Sequence, residues 1–126
     1  MHLRVARHTN NLEAVKSFYI NILNFELLGS FENHDNYNGI FLGFPNADWH
    51  IEFTASAEKA LHQFDPDDLL VLYPETKENY EKLLQNIEKN QIALVMPKNP
   101  YWIENGKMIV DPDGYRIVIS NLRVKH

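Results

Sequence analysis

The chain has 126 residues, 44% hydrophobic and 23% charged, which suffices for one soluble globular domain with a real core. A formal net charge of -5 weighs against a general nucleic-acid or anionic-membrane binder, because both need a basic surface. With no cysteine, disulfides and thiolate metal sites are excluded, and with no apolar run of membrane-spanning length the expected compartment is the cytoplasm.

Leu3 to His8 reads as a first strand. Asn10 or Asn11 can cap the helix that follows, and Glu13 stands three residues after Asn10 in capping-box spacing. Leu12, Val15, Phe18, Tyr19 and Ile22 recur at helical spacing and form one apolar stripe, with Asn24 as the stop. Phe25 to Phe31 is a strand, and NHDNYNG (33–39) is a dense turn cluster. Ile40 to Phe44 and Trp49 to Thr54 are two more strands. Phe41 and Phe44 are assigned to the core, and Trp49 falls out of phase with His50 and Glu52. ASAEKALHQFDPD (55–67) has no clear period and reads as a connector.

The second half repeats this order. Leu69 to Tyr73 is a strand. Lys77 to Asn90 is a helix with Tyr80, Leu83, Leu84 and Ile87 on one face. Ile92 to Met96 is a strand, PKNPYWIENG is a long loop, and Lys107 to Val110 is a strand. Asp111-Pro112-Asp113-Gly114 has type I turn preferences, and Tyr115 to Leu122 closes the chain. The fold class is therefore α+β, with module one at about 1–55, a connector at 56–67 and module two at about 68–126. A strand–helix–strand–strand–strand module leaves one sheet face uncovered, so two of them are expected to enclose a central cleft.

NNLEAVKSFYINILNFELLG, HIEFT and DPDGYRIVI, in this order and spacing, resemble the vicinal oxygen chelate superfamily. This is the glyoxalase/bleomycin-resistance/extradiol-dioxygenase group. The resemblance implies tandem βαβββ modules in a cupped mixed sheet, and frequent homodimers. It does not imply one reaction, since the group includes isomerases, dioxygenases, transferases and plain drug-binding proteins. Metal-using relatives take ligands from the first and fourth strand of each half. Those places fall on Arg4, on Glu52, near Asp68 or Leu69, and on Val118. Only Glu52 matches, with Asp68 as a second candidate.

A guanidinium has no lone pair to donate and repels a divalent cation. Arg4 is instead expected to pair with Glu52, with Arg116 joining them because it shares a strand face with Val118. His50 and Glu52 lie two apart on one strand and share a face. They could act as general acid and base without a metal. The alternative metal set is His8, His50 and Glu52, holding zinc, nickel or iron in a lyase, isomerase or dioxygenase. Tyr101 and Trp102 stand where a long loop could cover a ligand, or a core or subunit interface instead. His2, His34, His62 and His126 need no function. The expected function is metal-independent binding of a small anionic or amphipathic molecule, with no cofactor.

Overall fold

The computed structural model describes residues 1–125, so His126 lies outside the described residues. The chain divides into two compact units, Met1–Leu61 and the residues from His62 onward.

In the first unit the elements are β1 (Leu3–His8), α1 (Leu12–Asn21), β2 (Glu26–His34), β3 (Tyr37–Gly43) and β4 (Trp49–Ala55). The sheet order is β1-β4-β3-β2. β1 runs parallel to β4, and β3 runs antiparallel to both β4 and β2. This is the βαβββ module that the sequence pattern predicts. Ile40, Leu42, Ile51 and Phe53 are buried on the sheet face that α1 covers with Val15, Phe18 and Tyr19. The opposite face carries Arg4, Ala6 and His8 of β1, His50, Glu52 and Thr54 of β4, and Gly39, Phe41 and Gly43 of β3, as strand alternation requires.

Local chemistry fixes the ends of α1. Of the two candidate caps, Asn11 is the one used: its side chain accepts from Ala14 N at 3.0 Å. Asn10 instead clamps the connector, donating to Ala60 O at 3.2 Å and accepting from Ala60 N at 2.8 Å. The helix ends before Asn24, whose φ of 60° is the left-handed conformation that asparagine tolerates. The turn is shorter than the expected turn cluster at 33–39. Asp35 (φ 50°) and Asn36 (φ 69°) make a two-residue hairpin turn with positive φ at both positions, so β2 and β3 run almost into each other.

The second unit contains β5 (Leu69–Leu72), α2 (Lys77–Lys89), α3 (Pro100–Asn105), β6 (Gly106–Val110) and β7 (Arg116–Ser120), with sheet order β5-β7-β6. It follows the order of the first unit with one strand eroded. The strand expected over Ile92 to Met96 is reduced to a single bridge, Val95 to Met108. Leu94, Val95 and Met96 are exposed, so this segment gains too little burial to extend its pairing. The expected long loop also contains α3. Asn99 caps it by accepting from Tyr101 N at 3.0 Å, and Pro100 stands at its first position, where a missing N–H is tolerated. The Asp111–Gly114 turn forms as expected: Gly114 N donates to Asp111 O at 3.0 Å, and the buried Asp111 carboxylate accepts from Asp113 N and Tyr115 N.

Candidate functional site

The side of the first unit's sheet away from α1 gathers the charged residues. The parallel register sets Arg4 beside His50 and Ala6 beside Glu52. Arg4 Nε donates to His50 Nε2 at 2.9 Å, and Arg4 Nη1 lies 3.8 Å from Glu52 Oε2. The expected Arg4–Glu52 pair therefore exists, as an ion pair too long for a hydrogen bond. The Arg4 side chain is 51% exposed and that of Glu52 only 15%.

Phe41, which the sequence pattern assigns to the core, belongs here instead. Phe41 lies under the Arg4 guanidinium, 4.8 Å from ring centre to charge centre, and only half-buried. Phe44 is likewise 37% exposed, at an edge beside Trp49 and Phe25. The correction at Phe41 follows from strand alternation. Ile40 and Leu42 point to α1, so the residue between them must point away. The other residue missed is His2, whose Nε2 lies 2.6 Å from His50 Nδ1.

These contacts fix the proton positions on His50. Its Nε2 accepts from Arg4, so a neutral ring carries its hydrogen on Nδ1 and donates to His2 Nε2. His2 then holds its own hydrogen on Nδ1. The pKa of His50 is lowered from 6.5, chiefly by partial burial, then by the Arg4 guanidinium and His2, while Glu52 opposes the shift. The native state thus binds fewer protons than the unfolded chain in the window just below 6.5, and stability rises with pH across it. Equilibrium unfolding should show this slope in the native chain and a flatter one in His50→Gln. A proton NMR titration should place the His50 midpoint below 6.5, and a midpoint at or above that value would contradict the arrangement.

The other candidates make contacts within their own units. His8 Nε2 is 3.1 Å from Ser56 Oγ, and its ring is 6.2 Å from that of Tyr37. Asp68 is exposed and accepts from Asp65 N at 3.3 Å in the connector turn. Arg116, Tyr101 and Trp102 belong to the second unit. Arg116 is half-buried on β7, while Tyr101 is 53% exposed on α3 with its ring 4.9 Å from that of Trp102. Val118 is fully buried. Among the described residues, no group of three or more histidine, aspartate or glutamate side chains is placed to hold a metal ion. His8, His50 and Glu52 do not form such a group. No helix is long and apolar enough to cross a membrane.

Comparison with known proteins agrees with this architecture. Residues 3–54 match the YycE-like N-terminal domain and residues 67–121 the YycE-like C-terminal domain. The chain is 36% identical over 123 residues to the uncharacterized protein YycE of Bacillus subtilis, covering 94% of this chain and 86% of that one. A crystal structure of a YycE protein from the same species superposes with a TM-score of 0.85 at 33% identity, over 99% of this chain and 90% of that one. Its description names glyoxalase and fosfomycin-resistance proteins. The trypanothione-dependent glyoxalase I of Leishmania major shares the fold, at TM-score 0.73 and 19% identity over 96% of this chain and 86% of that one. So does a fosfomycin resistance protein of Listeria monocytogenes, at TM-score 0.66 and 16% identity over 95% and 88%. The paired family domains, the tandem modules and these superpositions show that the chain belongs to the YycE-like family and has the glyoxalase/bleomycin-resistance fold.

Proposed function

We propose that this protein binds a small molecule without a metal, on the face carrying Arg4, His50 and Glu52, and that Arg4 meets an anionic or hydrogen-bonding group of the ligand. The observation that carries the reading is the position of Arg4. A fixed positive charge lies across the histidine and the carboxylate that a metal would need. It repels a divalent cation and engages the His50 nitrogen that would ligate one. The other His50 nitrogen faces His2. Half of the guanidinium side chain remains open to solvent, where a ligand can reach it. If the bound molecule is turned over, Glu52 and His50 are the groups placed to move a proton.

Isothermal titration with zinc, nickel and ferrous iron tests the metal-independent part. The expected result is no stoichiometric tight binding. Tight binding at one ion per chain that Glu52→Ala abolishes would replace this reading with a metal-dependent lyase, isomerase or dioxygenase. Cytoplasmic residence and a homodimer are part of the same proposal, supported by the absence of cysteine and by the family likeness. A solution mass of one chain would remove the dimer.

A further inference from the structure

The ligand-facing side of the sheet is not built like an ordinary solvated face. Strand pairing sets each ring against a glycine: Phe41 opposite Gly29, Phe31 opposite Gly39, and His50 opposite Gly43. A Cβ at Gly39 would stand 2.3 Å from two atoms of the Phe31 ring, and one at Gly29 would stand 3.2 Å from the Phe41 ring. At Gly43 it would stand 3.3 Å from His50 Cβ. The glycines thus let these side chains lie low over the neighbouring strand. Phe31 and Phe41 form one half-exposed surface, their centres 5.8 Å apart and their planes tilted by 45°. Gly39 is buried beneath the Phe31 ring, and Ala6 beside it is small and exposed, so neither position puts a side chain over the rings.

Charge narrows the choice further. The guanidinium rests on Phe41, which sets a positive charge against the aromatic surface. One full positive charge stands there beside one carboxylate, Glu52, and a histidine held toward its neutral form. A dianion such as a phosphate would meet one cation and one like charge. A planar monoanion matches the fork by two parallel hydrogen bonds and keeps its body on the rings.

Resting on the binding function proposed above, we propose that the ligand class is a small planar aromatic carboxylate, with its ring on Phe31 and Phe41 and its carboxylate on Arg4. Stacking of aromatic on aromatic adds about 0.5–1.5 kcal/mol beyond area burial, a preference of roughly two- to tenfold over a saturated ring of the same charge.

The test uses the full chain and four probes, followed by chemical-shift changes at Arg4 Nε–H and the Phe31 and Phe41 rings. The probes are benzoate, cyclohexanecarboxylate, benzamide and phenyl phosphate. Benzoate should saturate at the lowest concentration, cyclohexanecarboxylate should follow by that factor, and benzamide and phenyl phosphate should bind more weakly than benzoate. Phe31→Leu should bring benzoate and cyclohexanecarboxylate level while leaving an anion response at Arg4. If the two carboxylates bind equally well to the native chain, or if phenyl phosphate binds best, the ligand class is wrong and the binding function stands. If neither an anion nor benzamide shifts Arg4, both fall. The comparison within the native chain needs no substitution, so misfolding of the variant would not obscure the result.

Discussion

Phe53→Ala should lower the unfolding free energy by about 3–5 kcal/mol, the range for truncating a buried phenylalanine. Phe53 is fully buried in β4, the strand between β1 and β3, and pairs with Arg7 on one side and Ile40 on the other. Its ring lies 5.0 Å from that of Tyr19, which is itself fully buried and touches Phe18 and Phe25. Removing it leaves a void that α1 and the sheet cannot close without moving Tyr19. Denaturant unfolding followed by tyrosine fluorescence measures the loss. A cost under about 1 kcal/mol would mean that the α1 contact with β4 is not the main support of the module. The proposed binding face depends on this strand, because Glu52 and Thr54 flank Phe53 and point away from α1.

Arg4→Met should weaken benzoate binding by about 10- to 150-fold, while the stability of the fold barely changes. The affinity loss corresponds to a hydrogen bond to a charged group, about 1.5–3 kcal/mol. Methionine keeps an unbranched apolar chain over Phe41, so the change isolates the charge. Arg4→Lys should fall between, since an ammonium keeps the charge and loses the planar fork. Stability is expected to hold because a half-exposed pair at 3.8 Å contributes only about 0–1 kcal/mol. Rising salt should weaken benzoate binding to the native chain and leave Arg4→Met almost unaffected. Equal affinity in the native chain and Arg4→Met would exclude Arg4 as the anion partner.

Much of the module was legible from periodicity. The α1 stripe buries Val15, Phe18, Tyr19 and Ile22 as its spacing predicts, and the alternation in HIEFT sets Ile51 and Phe53 inward and His50 and Glu52 outward. The Arg4–Glu52 approach was legible because β1 and β4 pair in parallel, a consequence of the βαβββ order. Phe41 was misplaced because a phenylalanine beside Ile40 and Leu42 looks like core, although its phase says otherwise. The strand at 92–96 failed for a different reason. Its residues have the right composition, but strand formation depends on what covers them, and a short pattern does not reveal that. α3 was hidden by its length: six residues show no full apolar period. His2 was invisible because only the parallel register reveals that a residue ahead of β1 reaches His50.

The hydrogen bond between His2 and His50 has a practical meaning for handling the protein. A polyhistidine affinity tag joined to Met1 would place extra imidazoles within a few residues of His50 and Glu52, on a chain end that is itself fully exposed. Nickel left from purification could then be held by side chains borrowed from the tag, and a cloning artefact would pass for a native cofactor. Fusions at the other end, or cleavage before any titration, avoid that confusion.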